Sequence, residues 1–210
     1  PRRPKGQMRV GGFGGPEGLA RYLRAEKIAH LINATHPFAD QISANAVDAA
    51  HAAGVPLLRL LRPGWRAQAE DRWIMARHMA EAAELCRREG GRIFLTTGSN
   101  DLAAFAEIRN AHFVVRVVDA PETVPLHDYA TITARGPFSL QDELALMAAH
   151  HVNLLVTKNS GGDATSAKLE AARRLRLPVI MVERPQIALE PRSPVAEDVE
   201  AAIAHLLAAL

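Results

Sequence analysis

Short apolar runs alternate with segments of helical periodicity along most of the chain, and this alternation constrains the fold more than any other feature. The longest runs cover 28–33, 55–61, 92–97, 152–157 and 178–183. They are nearly continuous rather than alternating in polarity, which is typical of strands buried on both faces of a parallel sheet. The predicted helices are 19–25, 39–53, 79–89, 101–109, 140–151, 164–175 and 195–210, and the shorter predicted strands are 72–76, 113–119 and 129–134. The pattern predicts an open, mostly parallel α/β sheet. Residues 139–142 and 160–163 both have capping-box spacing at a predicted helix start.

An internal repeat indicates how this α/β chain is divided. When the chain is shifted by 122 positions, Thr35 falls on Thr157, Ser43 on Thr165 and Pro56 on Pro178. Any two strand–helix–strand units resemble one another, but polar landmarks at one fixed offset favour two related halves. The linker between them is expected in the Pro- and Gly-containing stretch 63–71.

Composition excludes several classes of protein. Hydrophobic residues make up 48% of the 210 residues, enough for a real core. The net charge of +2 is far too small for a nucleic-acid-binding footprint. One cysteine, Cys86, excludes a disulfide framework and a cysteine-based zinc site, and favours a reducing, cytoplasmic location. No apolar stretch is long enough for a membrane span, and no apolar region follows the basic start as in a signal peptide. No metal site is expected.

Polar loops follow nearly every predicted strand. They cover 33–38, 62–65, 96–101, 135–138, 157–162 and 184–185. Because ligands of open α/β sheets bind beyond the carboxyl ends of the strands, these loops predict one shared edge rich in hydroxyls, glycine amides and cations. Such an edge is suited to anions.

The segment KNSGGDATSAK, residues 158–168, is the strongest of these signals. Gly161 and Gly162 allow the backbone to approach a ligand closely, and Lys158 and Lys168 add positive charge. The segment is not a Walker motif, since no Gly-Lys-Ser/Thr follows at the required spacing. A tight glycine turn with a capping serine and solvated lysines is the structural alternative.

Other segments admit a structural and a functional interpretation alike. Thr35 and His36 offer a hydroxyl and an imidazole just after a strand, although an X-Pro turn can fix such a histidine through a backbone carbonyl. The loop 97–99 is either part of a ligand site or a left-handed turn with a helix N-cap. The glycine-rich segment 11–18 does not match G-x-G-x-x-G and is either a flexible loop over a ligand or a structural turn. Trp65 and Trp73 flank the linker and are interpreted as packing between domains, with stacking on the substrate as the alternative.

Five segments taken together resemble one known family. They are NATHPFADQIS at 33–43, RPGW at 62–65, LTTGS at 95–99, VTKNSGG at 156–162 and PVIMVERP at 178–185. In order and spacing these segments are similar to precorrin-6A reductases of cobalamin (vitamin B12) biosynthesis, with a resemblance that runs from Val10 to Pro185. Each segment alone is weak, whereas the set is specific.

The resemblance implies two Rossmann-like halves with the ligands in a cleft between them. It also implies an NADPH-dependent reduction of one double bond of a tetrapyrrole macrocycle, which converts precorrin-6A to precorrin-6B. Both ligands are polyanions, which agrees with the polar strand ends, and the hydride chemistry belongs to the cofactor. Neighbouring enzymes of the same pathway are the expected protein partners. The expected division is a first half at 1–70, a second half at 71–193 and a C-terminal helix at 194–210 that packs back on the first half.

These expectations assign roles to individual residues. His36 is the candidate proton donor to the reduced macrocycle, with water as the alternative donor. Substrate binding is expected of Thr35, Ser43, Arg62, Lys158, Ser160, Gly161, Gly162, Thr165, Lys168 and Arg184. Cofactor binding is expected of Gly12, Gly14, Thr97, Gly98, Ser99 and Asn159.

The chain departs from the family pattern at two places. Family members usually open with a strand and a Gly-Gly-Thr-type turn upstream of the stretch that matches residues 8–15, so the first half is expected to lack that opening βα unit. Asn33 stands where many relatives have Asp, and is interpreted as a tolerated structural position. Two other functions stay open: a non-catalytic anion- or nucleotide-binding module, and a transferase that uses a phosphorylated donor.

Overall fold

The computed structural model describes residues 6–185 and 193–209, which form two compact units. Of the described residues, the first unit contains 6–62 and 193–209, and the second contains 63–185. Residues 63–70, placed in the first half by the sequence analysis, therefore belong to the second unit. The C-terminal helix belongs to the first unit.

The first unit has a three-stranded parallel sheet in the order β1-β2-β9. Its elements are α1 (Gly15–Ala25), β1 (Leu31–Asn33), α2 (Asp40–Ala53), β2 (Leu57–Leu60), β9 (Val195–Ala196) and α6 (Val199–Ala208). Helices α1 and α2 pack on each other through Leu19, Leu23, Ala46 and Ala49. Helix α6 lies against β2 and β9, where Ala202 and Leu206 join Leu58 and Ala196 in a small core.

The second unit has a six-stranded sheet in the order β3-β8-β7-β4-β5-β6, and every pair of neighbouring strands is parallel. Its strands are β3 (Arg72–Ala76), β4 (Gly91–Leu95), β5 (Ala111–Val117), β6 (Tyr129–Thr133), β7 (Leu154–Lys158) and β8 (Pro178–Val182). Its helices are α3 (Met79–Glu89), α4 (Leu140–Ala149) and α5 (Ala167–Arg174). The central strands are mostly apolar because helices cover both faces of such a sheet. The prediction of an α/β fold with two Rossmann-like halves and mostly parallel sheets is confirmed.

Local capping sets several helix starts. Ser139 Oγ accepts a hydrogen bond from the Asp142 amide at 3.1 Å, as its capping-box spacing predicts. Asp198 Oδ1 accepts from the Ala201 amide at 2.7 Å, and this cap starts α6. The prediction of a helix from residue 195 is therefore wrong at its start, because Val195 and Ala196 pair with β2 before the cap.

Two further predictions are corrected by the structure. The predicted helix at 101–109 is a 3-10 helix at Ser99–Phe105. Leu102, Phe105 and Ile108 are all buried at a spacing of three, which matches the three residues per turn of a 3-10 helix. The helix start predicted at 160–163 is not observed, because a separate 3-10 turn at Asp163–Thr165, with Gly162 as its N-cap, precedes α5. None of the helices in the described ranges is long and apolar enough to cross a bilayer.

Candidate functional site

The polar loops of the second unit meet at one edge of its sheet. Because all six strands run parallel, their carboxyl ends lie on the same side, and the loops after β4, β7 and β8 are neighbours there. The segment between β7 and α5, residues 159–165, is called the clamped loop below. Its backbone conformation is set by contacts from four other parts of the chain.

Five carbonyl groups of the clamped loop accept hydrogen bonds from the protein. The donors and distances are Arg184 Nε to Asn159 O at 2.7 Å, Arg184 Nη2 to Ser160 O at 3.0 Å, Trp65 Nε1 to Gly162 O at 3.0 Å, Phe138 N to Ala164 O at 3.3 Å and Lys168 Nζ to Thr165 O at 2.8 Å. In a trans peptide the carbonyl and the following N–H point in opposite directions. The amides of Gly161, Asp163 and Thr165 are therefore turned away from these donors, as a backbone anion site requires.

The RPGW segment packs closely on the clamped loop, and two glycines permit this approach. The Trp65 amide donates to Asn159 Oδ1 at 2.7 Å, and Asn159 Nδ2 donates to the Trp65 carbonyl at 3.2 Å. Gly161 has φ +67°, and a Cβ there would lie 2.0 Å from the Pro63 carbonyl oxygen. A Cβ on Gly64 would press on the Asn159 amide at 3.2–3.3 Å. Trp65, interpreted from sequence as packing between domains, instead holds the clamped loop within the second unit.

Buried charges lie beneath the clamped loop. Lys168 is only 4% exposed, and its ammonium lies 4.8 Å from the centroid of the Trp65 ring. Burial, reinforced by the charge of Arg116 and opposed by Glu143, lowers the pKa of Lys168 to about 7. The Arg116 guanidinium donates to Glu143 Oε1 at 2.8 Å and stacks on Phe138 at 3.8 Å. Lys168 thus acts on the loop from within the protein rather than from its surface.

Lys158, at the end of β7, forms an ion pair with Asp101 of the 3-10 helix. Both side chains are mostly shielded from solvent, so the pair ties the loop after β4 to the end of β7. Next to it, Thr97 is buried, and its Oγ1 has no hydrogen-bond partner among the described residues. Gly98, at φ 92° and ψ 167°, is not the left-handed turn considered from sequence, and Ser99 is exposed.

The first unit has a cleft of about 430 Å³ at the carboxyl ends of its three strands. Its walls are 34–37 after β1, 60–62 after β2 and 197–199 after β9. His36 lines this cleft, and its Nδ1 accepts a hydrogen bond from the Phe38 amide at 3.2 Å. Arg62, which follows the neighbouring strand β2, lines the same cleft. The cleft lies where ligands of parallel sheets bind.

The hydroxyl groups predicted in this unit form an internal network. Asn33 is buried, and its Oδ1 accepts from the Thr35 amide at 3.1 Å and the Thr35 hydroxyl at 2.7 Å. The Thr35 hydroxyl also lies 3.1 Å from that of Ser43, which is 1% exposed. Asn33 therefore shapes the turn that presents His36, a positioning role that the resemblance alone did not suggest.

The glycine-rich segment folds back on α1. Gly14 is the N-cap of α1 with φ 79°, and Phe13 packs on Tyr22 with ring centroids 5.0 Å apart. Gly18 permits this contact, because a Cβ there would lie 1.7 Å from the Phe13 carbonyl oxygen. A Cβ on Gly12 would meet nothing within 4 Å.

A second cavity in the first unit, of about 440 Å³, lies at the opposite, amino ends of β1 and β2. His30, His51 and His205 line it together with apolar residues. Within 6–185 and 193–209, no group of three or more His, Cys, Asp or Glu side chains could hold a metal ion. This cavity is not the one expected to bind ligands in a parallel sheet.

The structure divides the predicted site residues between the two units. Thr35, His36, Ser43, Arg62, Gly12 and Gly14 belong to the first, and Lys158, Asn159, Ser160, Gly161, Gly162, Thr165, Lys168, Arg184, Thr97, Gly98 and Ser99 belong to the second. Asn159 and Arg184 form hydrogen bonds that organise the clamped loop. Sequence reasoning missed Asp101, Arg116 and Glu143, since isolated charged residues give no signal until the fold brings them together.

These features define a class of protein: an α/β protein with two Rossmann-like units, each with a polar edge at the carboxyl ends of its parallel strands. Residues 1–207 match the model of the precorrin-6x reductase CbiJ/CobK family. The chain is 47% identical over 204 residues to the precorrin-6A reductase of Rhodococcus erythropolis, covering 97% of this chain and 82% of that protein. It is 43% identical over 210 residues to the enzyme of the same name from a Sinorhizobium species, covering 99% and 80%.

A solved structure gives the same result. The CobK precorrin-6A reductase structure superposes with a TM-score of 0.90 at 41% identity, covering 95% of this chain and 81% of that one. The chain belongs to the precorrin-6x reductase family. This confirms the resemblance drawn from the five sequence segments.

Proposed function

We propose that this protein reduces one double bond of precorrin-6A with NADPH and yields precorrin-6B, in cobalamin biosynthesis. The observation that carries the proposal is the clamped loop, which follows Lys158 at the edge of a parallel sheet and whose Ser160 and Gly162 carbonyls are held by the protein, in a chain of this family. The carboxylates of a tetrapyrrole and the phosphates of a dinucleotide are the ligands such a loop suits.

The residue roles follow the predicted assignments. Lys158 and the amides of the clamped loop are proposed to bind carboxylates of the macrocycle, supported from within by Ser160, Thr165, Lys168 and Arg184. The loop 97–99, with the unpartnered Thr97 hydroxyl, and Gly12, Gly14 and Asn159 are proposed to serve the cofactor. NADPH supplies a hydride when bound, and the chain binds and orients both ligands. His36 is proposed to donate the proton that completes the reduction, because it lines the cleft of the first unit together with Thr35 and Arg62.

A thiol plays no part in this chemistry. Cys86 is buried in α3, and burial raises the pKa of its thiol to about 12, so the thiolate does not form at neutral pH. The single cysteine supports the proposal of a reducing, cytoplasmic location. Neighbouring enzymes of the pathway are the proposed partners, and co-elution with them on a sizing column is the measurement that checks this.

The test is a reduction assay with purified protein, NADPH and precorrin-6A. We expect nicotinamide absorbance to fall only when the macrocycle is present, with precorrin-6B as the product. NADPH binding without consumption would favour the non-catalytic nucleotide-binding module instead. The His36→Ala variant is expected to lose at least about tenfold in kcat if the imidazole is the donor. An unchanged kcat would assign the proton to water.

A second prediction concerns the ion pair that Lys158 forms with Asp101. Asp101→Asn keeps a side chain of the same shape, which still accepts a hydrogen bond, but removes the countercharge. Loss of one nearby negative charge at this partly shielded edge is worth on the order of 1 kcal/mol. We therefore expect the KM for precorrin-6A to fall about fivefold, and this gain to shrink at high salt.

The matched variant is Lys158→Ala, for which the KM is expected to rise. If Asp101→Asn also raises the KM, Asp101 positions Lys158 more than it opposes the ligand, and the electrostatic argument is wrong. Gel-filtration volume and circular dichroism of both variants serve as controls for folding.

A further inference from the structure

The ammonium group of Lys168 is buried within the second unit. It contacts both the clamped loop itself and a side chain that holds the loop. Its Nζ donates to the Thr165 carbonyl at 2.8 Å and lies over the Trp65 ring at 4.8 Å. The Trp65 indole in turn donates to the Gly162 carbonyl at 3.0 Å. One cation therefore binds the Thr165 carbonyl directly and contacts the indole that holds the Gly162 carbonyl, so it supports the part of the loop that carries the Asp163 and Thr165 amides.

The surroundings of Lys168 contain one positive and one negative partner. Arg116 on β5 disfavours the ammonium, and Glu143 on α4 favours it, but Glu143 is already paired with Arg116 at 2.8 Å. Strand β8, against which α5 packs, carries no titratable side chain from Pro178 to Val182. On its own helix the charged residues Glu170, Arg173 and Arg174 are bonded to one another, and Arg173 is also bonded to Asp71. Asp163, on the 3-10 turn that also packs against α5, is exposed, so the carboxylate that acts on the buried ammonium is Glu143, which is shared with Arg116.

We propose that Lys168 is a positioning residue that couples its own protonation to anion binding at the clamped loop. Its ammonium form holds Thr165 and Trp65 in the arrangement that presents the loop amides. An anion bound to those amides supplies additional negative charge near the ammonium. The inference rests on the proposed function only in that it assigns an anionic ligand to this loop. The coupling itself requires no turnover.

The physical argument has two steps. Burial lowers the pKa of Lys168 to about 7, so its charge changes within the working range of pH. Deprotonation removes the cation–π attraction to Trp65 and weakens the hydrogen bond to Thr165. By linkage, an anion that favours the ammonium must raise the pKa of Lys168, and anion affinity must fall as pH rises through that pKa.

Tryptophan fluorescence tests the coupling directly. The chain has two tryptophans, so Trp73→Phe leaves Trp65 as the sole emitter. In that protein we expect an emission step near neutral pH, and saturating tricarballylate or pyrophosphate should move the step upward by roughly half a pH unit or more. Adding Lys168→Met, which fills the same volume without charge, should remove both the step and the shift. Lys27→Met, at an exposed lysine after α1, should remove neither.

Steady-state kinetics give a second readout. Lys168→Met should raise the KM for precorrin-6A about tenfold, leave kcat within about twofold and flatten the dependence of the KM on pH. A step that survives Lys168→Met, or no step between pH 6 and 9 in the Trp73→Phe protein, would overturn the proposal. If the step and its anion shift appear but NADPH is not consumed, the coupling stands and the reductase function is what fails.

Discussion

Replacing Glu143 by Leu is expected to lower the free energy of unfolding of the second unit by about 3–5 kcal/mol. Glu143 is 1% exposed and accepts from Arg116 at 2.8 Å, so its loss leaves a guanidinium buried without a partner. Arg116 also stacks on Phe138, whose amide holds the Ala164 carbonyl of the clamped loop. Urea unfolding followed by circular dichroism measures the change, and precorrin-6A affinity should fall with it.

Two further variants serve as controls for this prediction. The double variant Arg116→Met with Glu143→Leu replaces the pair by apolar side chains of similar volume, and should recover most of the lost stability. Glu84→Ala breaks the Arg87–Glu84 pair on the exposed face of α3 and should cost less than about 0.5 kcal/mol. If Glu143→Leu alone costs no more than Glu84→Ala, the pair is not the internal support that its burial indicates.

Replacing Gly161 by Ala is expected to be the most disruptive single change at the site itself. The new Cβ would lie 2.0 Å from the Pro63 carbonyl oxygen and 2.7 Å from Arg184 Nη2, at a φ of +67° that L-residues rarely adopt. Backbone cannot yield as a flexible side chain does, so the clamped loop and the RPGW segment must separate. We expect a loss of about 3–5 kcal/mol in stability and at least a hundredfold loss in kcat/KM for precorrin-6A.

Gly54 offers a matched control in the first unit. It ends α2 at φ +69°, nearly the same value, but a Cβ there would meet nothing within 4 Å. Gly54→Ala therefore measures the cost of the left-handed backbone alone, about 1 kcal/mol. Equal losses for the two variants would show that the close approach to Pro63 contributes nothing.

Much of the fold could be predicted because buried parallel strands leave a strong local signal. The strands at 92–97 and 178–183 were predicted close to β4 and β8, since their runs of Ile, Phe, Val and Met are apolar on both faces. Strand β9 could not be predicted, because two residues between Pro194 and the Asp198 cap carry no periodicity. Its place beside β2 depends on the chain returning to the first unit after residue 185.

The sequence predicted which loops contribute residues to the site, but not how those residues are arranged. The glycines and Lys158 of the segment 158–168 were singled out from sequence, and they do lie at the sheet edge. The partners that orient them come from far away along the chain: Trp65 lies 94 positions from Asn159, and Arg116 lies 27 from Glu143. No local pattern links such residues. Arg184 was predicted to bind an anion, and in the structure its guanidinium donates hydrogen bonds to two carbonyls of the clamped loop.

The sequence by itself determined the α/β class, the repeated strand–helix–strand unit and the family, because apolar periodicity and motif spacing are properties of neighbouring residues. Only the tertiary structure decided which groups face a ligand and which face the protein. A lysine, an arginine and an asparagine in a polar loop look equally available in a sequence. Once the strands lie side by side, Lys168, Arg184 and Asn159 are turned inward to hold carbonyls, and the backbone amides are left to face outward. The reason is the planar trans peptide, in which a carbonyl held by the protein leaves the following N–H pointing the opposite way, as at Ser160–Gly161 and Gly162–Asp163.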